Sequence, residues 1–473
     1  MQRKITIEPI TRIEGHAKVT IRLDDEGKVE RAYFHVTQFR GFEKFCEGRM
    51  YFEMPQITPR ICGICPVSHH LASAKACDDL IGADPPRPAK LLRELMHMGQ
   101  IIQSHSLHFF HLASPDLLLG MDADPAVRNI VGVIQTNPDL ALKGIKLRKY
   151  GQEVIETLGM KRVHPIFAVP GGVNKALTIE ERDEMLSQLD EVISSVQTAI
   201  EVAKSWLEEN KETVERFANF PSGYMGLIKD GALELYDGTV RLKGKDGSIL
   251  EEFDGADYLD YIGEHVEPWT YLKFPFYRKL GYPEGSYRVG PLGRLNAADR
   301  ISTPLAGEEC EEFKALGDGR PVEPSLYYHY ARLIEVLYAA ERARELLEDP
   351  DILSTDIRAE PGEFRGQGIG VLEAPRGTLF HHYWTDEEGK ITKVNLIVAT
   401  GNNNWAMCKS VEEVAKLYVD GKKLTEGMLN RVEAAIRCYD PCLSCSTHAL
   451  GQMPLIVRLV SAEGEVLDEL RRG

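Results

Sequence analysis

The chain has 473 residues, which is enough for several ordinary domains or for one large domain with a thick hydrophobic core. Its 56 basic and 72 acidic side chains give a formal charge of -16, which argues against a nucleic-acid partner and against anionic membrane surfaces. No apolar run approaches the roughly 18 residues that a membrane-spanning helix needs, and the start of the chain lacks the apolar segment of a secretory signal. Nine cysteines are too few for a disulfide scaffold. These features predict a protein of the reducing cytoplasm.

The first half of the chain changes from strand patterns to helix patterns. Alternating apolar positions and β-branched residues predict three strands, at residues 4–10, 16–23 and 29–39. Broad apolar stripes with a helical period then predict three long helices, at residues 91–112, 137–159 and 178–217. The third helix is expected to begin with a capping box at Thr178.

The second half mixes one strong helical pattern with two strand pairs. Residues 242–253 have hairpin character around a Gly-Lys-Asp-Gly turn, and residues 377–400 read as two strands across a Glu-Glu-Gly-Lys turn. Residues 325–349 form the helical pattern. We therefore predict one α+β unit, with a large mainly helical body around a central helical bundle and small peripheral β-sheets near the N-terminus and in the second half.

Two Cys-x-x-Cys pairs near opposite ends of the chain are the strongest chemical signal. Cys62 and Cys65 lie in "RICGICPVSH", and Cys442 and Cys445 lie in "DPCLSCSTH". One structural zinc ion or a thioredoxin-like dithiol are the simple alternatives. Zinc ribbons bring their pairs together within a few tens of residues, however, and neither pair sits in a recognisable strand-to-helix turn. Four soft thiolates would leave one site strongly anionic unless more than one divalent metal shares them.

Together, these two motifs resemble the signature pair of nickel-iron hydrogenase large subunits. Three further segments resemble motifs of that family in the family's order, namely "ITRIEGHAKV", "FRGFEKF" and "GIGVLEAPRGTLFHH". The five motifs run from Ile10 to His448 and so cover essentially the entire chain. A chance match of five ordered motifs is very improbable, which favours the hydrogenase interpretation over zinc or a dithiol.

The resemblance implies a role for each cysteine. Cys62 and Cys442 would be terminal ligands of nickel, while Cys65 and Cys445 would bridge nickel to an iron that carries one carbon monoxide and two cyanides. Glu14 in "RIEGH" would take the proton from the sulfur of Cys442 when hydrogen is split.

Further positions match residues that surround the metals in this family. Arg376, preceded by Pro375, would lie over the open side of the metal pair. Thr400 would donate a hydrogen bond to a cyanide. The residue before it is Ala399, where better-known members of the family have proline. The remaining expectations are that His69 donates to a bridging sulfur and that two carboxylates hold Arg376 in place, Asp116 and Asp440. Asp116 has a helix cap as its alternative.

A second metal and a processed tail also follow from the resemblance. Glu43 and His448 would bind a hard cation, commonly magnesium. The catalytic domain would comprise residues 1–448, and residues 449–473 would be an extension that a dedicated endopeptidase removes once nickel is in place. A permanent C-terminal strand pair is the alternative for "LIVRLV" in this tail.

Electrons must leave through another chain, because no cysteine spacing typical of an iron-sulfur cluster remains once the four ligands are used. The resemblance therefore implies a small subunit with iron-sulfur clusters, and it is greatest to the cytoplasmic bidirectional group, whose diaphorase subunits pass electrons to NAD(P). The alternatives are a methyl-viologen-reducing hydrogenase linked to heterodisulfide reductase and, in a different class, a structural zinc-binding scaffold. The quinone-site subunit of respiratory complex I also resembles this fold but lacks the cysteines.

Overall fold

The fold is given by a computed structural model, which describes residues 3–447, 455–460 and 466–472, with side chains from residue 4 to residue 447. The strands are β1 (Arg3–Ile7), β2 (Ala17–Leu23), β3 (Val29–Val36), β4 (Ala168–Val169), β5 (Gly172–Val173), β6 (Gly223–Lys229), β7 (Ala232–Leu233), β8 (Thr239–Lys243), β9 (Ile249–Phe253), β10 (Ile262–His265), β11 (Phe274–Tyr277), β12 (Tyr287–Arg288), β13 (Gln367–Ala374), β14 (Gly377–Thr385), β15 (Ile391–Ile397), β16 (Leu455–Val460) and β17 (Val466–Arg472).

The helices carry most of the buried apolar surface. They are α1 (Phe42–Cys46), α2 (Met54–Ile57), α3 (Pro66–Leu80), α4 (Arg87–Leu107), α5 (Ser114–Leu118), α6 (Ile130–Thr136), α7 (Pro138–Gly159), α8 (Ile179–Glu209), α9 (Lys211–Arg216), α10 (Tyr258–Tyr261), α11 (Gly290–Ala297), α12 (Pro304–Ala315), α13 (Tyr328–Glu348), α14 (Ala399–Asn402), α15 (Asn404–Tyr418), α16 (Glu426–Arg437) and α17 (Leu443–Ser446).

A central bundle and several small sheets confirm the predicted α+β class. Helix α4 packs against α7 and α13, and α13 packs in turn against α8 and α12. Antiparallel sheets flank this bundle, with β1-β2-β3 near the N-terminus and β13-β14-β15 in the second half. A further sheet contains β12, β6, β8 and β9, with β7 paired to β6. None of the described helices has both the length and the apolar character to cross a membrane.

Most predicted elements are confirmed, and two of the predicted long helices are each divided. The capping box at Thr178 starts α8 as expected, but the pattern predicted as one helix over residues 178–217 is divided at Asn210. The side chain and the backbone N–H of Asn210 both donate to the carbonyl of Trp206, at 2.8 and 3.0 Å, and so end α8 at this residue. The pattern over residues 91–112 is also divided, because α4 passes into a π turn at His108–Ala113.

A two-residue turn between β13 and β14 presents Pro375 and Arg376. Ala374 pairs with Gly377 at the end of the antiparallel ladder, so only these two residues lie outside it. Gly377 has a φ of +138°, and a Cβ at this position would lie 2.1 Å from a methyl of Val289. Glycine is therefore required at the end of the turn, and the turn points Arg376 into the interior.

Candidate metal centre

The structure brings the two distant cysteine pairs into one buried cluster. Sγ of Cys62 lies 3.3 Å from Sγ of Cys442, and Sγ of Cys65 lies 3.5 Å from Sγ of Cys445. All four sulfur atoms lie within 4.8 Å of one another, and all four side chains are buried. This is the convergence that the metal interpretation requires, although binding by each sulfur stays a prediction.

Short local structures hold each pair at the cluster. Cys62 follows a 3-10 turn at Thr58–Ile61, and Cys65 is the residue before α3. Sγ of Cys62 accepts from the backbone N–H of Cys65 at 3.3 Å. The loop between the two cysteines is fixed from α4, because Gln100 and Gln103 donate to the carbonyl of Ile64 at 3.0 and 2.7 Å. In the second pair, Cys442 is the residue before α17 and Cys445 lies within that short helix.

Arg376 is the buried cation of this cluster, with 3% of its surface exposed. Its Nε donates to the carbonyl of Asp440 at 2.5 Å, and its Nη2 lies 3.0 Å from a carboxylate oxygen of the same residue. Burial lowers the pKa of Arg376, but Asp440 and the nearby thiols outweigh it and raise that pKa well above its ordinary value. Arg376 therefore stays cationic, and the predicted contact between Arg376 and Asp440 is present.

The donor set suits soft metal ions, whose charge would keep the sulfur atoms deprotonated. Burial raises the pKa of Cys442 and Cys445 well above the ordinary value of a thiol, and the neighbouring cysteines raise that of Cys442 further. Four thiolates so close together repel one another unless cations share them. Thiolate ligands select nickel, iron, copper or zinc over hard cations, so a nickel-iron pair suits these residues.

Glu14 and Thr400 both contact the C-terminal cysteine segment. Glu14 forms a parallel bridge with Cys442, its carbonyl accepts from Leu443 at 3.2 Å, and its Oε2 accepts from the backbone N–H of Ser444 at 3.0 Å. Oγ1 of Thr400 accepts from the backbone N–H of Cys442 at 3.0 Å. This bond leaves the hydroxyl hydrogen of Thr400 available for another acceptor.

His69 belongs to a buried chain of polar side chains. Its Nδ1 lies 3.0 Å from Nε2 of His381, whose Nδ1 lies 2.6 Å from the hydroxyl of Tyr383. Tyr383 donates to Oγ of Ser73 at 2.9 Å. The expected bond from His69 to a bridging sulfur stays a prediction.

The expected contact of Asp116 with Arg376 is wrong. Asp116 binds Arg12 at 2.5 Å and also binds Arg437, and Nε of Arg128 lies 3.6 Å away. Burial raises the pKa of this carboxyl, but Arg437 and Arg12 outweigh burial and lower it. Asp116 lies in the first turn of α5, where it binds these arginines instead of capping the helix.

The predicted second cation site has one ligand, His448, that lies outside the described residues. Glu43 is half-buried in α1, and its Oε1 accepts from the backbone N–H of Leu396 in β15 at 2.8 Å. The magnesium site therefore stays a prediction.

Arg294 is a buried residue of this region that the sequence motifs do not identify. It donates to the carbonyls of Ala374 at 2.8 Å and Pro375 at 3.1 Å, so it fixes the turn that carries Arg376. Its carboxylate partners are Glu335 and Glu373. A charged residue within the mainly apolar sequence of α11 is the signal that could have identified it.

Comparisons with known proteins agree with this geometry. A family model described as nickel-dependent hydrogenase matches residues 40–129 and 234–448, and one described as HoxL-like matches residues 4–39. The NAD-reducing hydrogenase HoxS subunit beta of Cupriavidus necator is 47% identical, with all of both chains covered. A vhu subunit of the F420-non-reducing hydrogenase of Methanococcus voltae is 51% identical, over 88% of this chain and 98% of that protein.

Solved structures give the same result. An NAD+-reducing NiFe hydrogenase in the H2-reduced state has a TM-score of 0.92 and 46% identity, and the match covers 94% of this chain and 99% of that chain. The Ni-Fe-Se hydrogenase of Desulfovibrio vulgaris Hildenborough has a TM-score of 0.77 and 25% identity, covering 95% and 100%. Because the sulfur cluster, the full-length relatives and the fold all agree, the chain belongs to the nickel-dependent hydrogenase family, in which it is a large subunit.

Proposed function

We propose that this chain is the catalytic subunit that reversibly oxidises H2 to two protons and two electrons at a nickel-iron centre. The observation that carries the proposal is the cluster of four buried sulfur atoms within 4.8 Å of one another. Cys62 and Cys442 would hold nickel, and Cys65 and Cys445 would hold both nickel and an iron that carries one carbon monoxide and two cyanides. The metals supply, when bound, the Lewis acidity that polarises H2 toward heterolytic cleavage.

Around the metals, the chain supplies fixed charge and directed hydrogen bonds. The permanent cation of Arg376 offsets the charge of the thiolates and would donate to one cyanide nitrogen when the metals are bound. The hydroxyl of Thr400 would donate to the other cyanide, and its bond from the Cys442 N–H supports this role because it holds the hydroxyl beside the cysteine. Asp440 holds the Arg376 guanidinium by its carboxylate and its carbonyl.

Proton transfer is assigned to Cys442 and Glu14. The Sγ of Cys442 acts as the local base, and the Glu14 carboxylate accepts the proton from that sulfur and releases it toward solvent. The backbone bridge between these two residues supports the assignment, since it keeps the carboxylate close to the cysteine segment.

The proposed electron route runs through an iron-sulfur small subunit to diaphorase subunits and NAD(P) in the cytoplasm. Support comes from the full-length match to the HoxS subunit beta, which belongs to an NAD-reducing hydrogenase. The higher identity of the F420-non-reducing relative favours a second candidate, a methyl-viologen-reducing enzyme linked to heterodisulfide reductase, but this match covers 88% of the chain. Assays of the purified complex with NAD+, NADP+ and viologen separate the two candidates.

A hard cation such as magnesium and a maturation step complete the proposal. Glu43 and His448 bind the cation, and an endopeptidase removes residues 449–473 after nickel is inserted. Intact mass of the active enzyme tests the second part, because a full-length mass would contradict processing. The paired strands β16 and β17 are compatible with either outcome.

Metal analysis with infrared spectroscopy of the purified complex tests the central claim. We expect about one nickel per chain, iron in excess of the iron-sulfur clusters of the small subunit, and absorption bands of bound carbon monoxide and cyanide. Cys445→Ser should lose the nickel and all of these bands, whereas Cys310→Ser, at a buried cysteine of α12, should keep them. Zinc alone in active preparations would overturn the proposal.

A further inference from the structure

A network of buried charges joins the N-terminal segment to helix α16. Glu433 accepts from the backbone N–H of Thr11 at 2.8 Å and from its hydroxyl at 3.0 Å. Arg437 donates to the carbonyl of Thr11 at 3.3 Å and to Glu433 at 3.0 Å. Both polar groups of the Thr11 backbone are therefore bound by side chains of one helix.

The same network also holds the next residue of the segment. Arg12 donates to Asp116 at 2.5 Å and to the carbonyl of Leu112 at 2.7 Å, within the π turn that follows α4. Asn430 of α16 donates to Asp116 at 2.9 Å and accepts from Arg437 at 2.8 Å. Asn430, Glu433 and Arg437 are spaced so that they lie on one face of α16.

The backbone held by these bonds is strained. Arg12 has a φ of +55°, a backbone conformation that residues other than glycine rarely adopt and that costs about 1–3 kcal/mol. Such a conformation persists only where surrounding interactions determine it fully. Glu14 follows two residues later and contacts the Cys442 segment by its carbonyl and its carboxylate.

We propose that Glu433, Arg437 and Asp116 are positioning residues for Glu14, acting through the Thr11–Arg12 backbone. This inference deepens the proposed function and depends on it, because it assumes that Glu14 takes the proton. Arg376 does not need these residues, since Asp440 and the turn between β13 and β14 hold it already.

The positive and negative charges of this network are equal in number, which suits a rigid support for the Thr11–Arg12 backbone. Three guanidinium groups, from Arg12, Arg128 and Arg437, face three carboxylates, from Asp116, Glu426 and Glu433. The arginines lower the pKa of Asp116, so that this carboxyl stays ionised at neutral pH. The helix that ends at Arg437 leads within five residues to Cys442, so one element connects the support to the ligand segment.

Glu433→Gln in the complete enzyme complex is the first test. We expect the amides of Leu443 and Ser444, which donate to Glu14, to exchange with deuterium about tenfold faster. We also expect proton release, followed as exchange between D2 and H2O, to slow about tenfold, with nickel content unchanged. Unchanged amide exchange or unchanged proton release would overturn the inference.

A matched control separates positioning from general loss of stability. Asp78→Asn weakens another buried ion pair, in which Asp78 binds Arg93 at 2.5 Å and accepts from the N–H of Gly171 at 2.7 Å. This variant should leave amide exchange at Leu443 and Ser444 and the proton release rate as in the parent enzyme. An equal effect in both variants would mean a merely structural role for Glu433 and would overturn the inference.

Thr11 offers a milder test in case Glu433→Gln fails to fold. Thr11 is exposed, and Thr11→Val removes only its hydroxyl bond to Glu433, whereas Thr11→Ser keeps that bond. We expect proton release to slow about threefold in Thr11→Val and to recover in Thr11→Ser. Equal rates in the two variants would contradict the inference.

Glu14→Gln distinguishes failure of this inference from failure of the proposed function. If proton release persists in Glu14→Gln, the role assigned to Glu14 is wrong and the inference falls with it. If proton release is lost in Glu14→Gln but unchanged in Glu433→Gln, the proposed function stands and only the inference is wrong.

Discussion

Two arginine-carboxylate networks support two different residues beside the sulfur cluster, and they differ in depth. Behind Arg376, the side chains of Arg294, Glu335 and Glu373 are completely buried. Behind Glu14, the side chain of Arg12 is 16% exposed, and the residue before it lies at the surface. In the proposed mechanism, the deep network holds the fixed charge of Arg376, whereas the shallow one holds Glu14, the group proposed to exchange protons with solvent.

Removing Arg294 would break the deep network and should have the largest effect. Arg294→Met leaves the carboxylates of Glu335 and Glu373 buried without their cation, which should lower the free energy of unfolding by about 3–5 kcal/mol. Urea unfolding of the purified protein measures this loss. Arg344→Met is the control, because its partner Asp190 is exposed and the loss should stay below about 1 kcal/mol. Equal losses would mean that burial of the carboxylates does not set the cost of removing their arginine.

Acid should weaken the deep network first, through His105. Burial lowers the pKa of His105 to about 4 although Glu335 opposes this, so the folded protein holds it neutral while the unfolded chain protonates near pH 6.5. Its contribution is complete above pH 6.5 and is lost as the pH falls to 4, at a cost of about 3 kcal/mol.

The carboxylate of Glu335, beside His105, adds a second pH range in which acid lowers the stability. Burial raises the pKa of Glu335, but Arg294 outweighs it and sets that pKa at about 2, so its stabilisation is lost as the pH falls from 4.5 to 2. Unfolding measured against pH should show a slope that is smaller by about one proton in His105→Gln than in the parent between pH 6.5 and 4. Identical slopes would contradict the assignment to His105.

Arg376→Lys tests the fixed charge itself. Lysine keeps the charge but lacks the planar fork that binds Asp440 and a second acceptor together, so we expect H2 oxidation to fall about 100-fold. Nickel content should stay the same. Arg365→Lys, at an exposed arginine that binds Asp79, should keep full activity. Activity above half of the parent value in Arg376→Lys would show that charge alone is sufficient.

Thr400→Val should have the smallest effect on stability, and it tests which group accepts the hydroxyl hydrogen of Thr400 at the cluster. Loss of the hydroxyl leaves the N–H of Cys442 without its acceptor, at a cost of about 1–2 kcal/mol in the free energy of unfolding. If Thr400 also donates to a cyanide, one cyanide band should shift in the infrared spectrum. Thr400→Ser should restore both properties, and an unshifted band in Thr400→Val would leave the cyanide without this donor.

Local patterns in the sequence predicted the elements whose signals are local. Alternation and turn residues identified β1 to β3, and the capping box at Thr178 identified the start of α8. The break at Asn210 was missed because the helical period continues on both sides of it. Strand β13 was not predicted, because its residues were interpreted only as part of the motif "GIGVLEAPRGTLFHH".

Ionic partners were the harder part of the candidate site. The motif resemblance indicated the cysteines and paired Arg376 with Asp440, but it paired Asp116 with the wrong arginine. The arginines that bind Asp116 come from the N-terminal segment, from the loop before α6 and from the end of α16. Such a choice depends on how distant elements pack, which no local pattern specifies.

The bridge between Glu14 and the Cys442 segment has a consequence for synthesis on the ribosome. The hydrogen bond from Ser444 to Glu14 spans 430 positions, so the chain must emerge at least through Ser444 before this contact can form. A contact between such distant residues forms late in folding, because closing the long loop between them costs conformational entropy before the contact can stabilise the fold. The first cysteine pair therefore has no counterpart in the nascent chain until Cys442 and Cys445 have been synthesised and have left the ribosome.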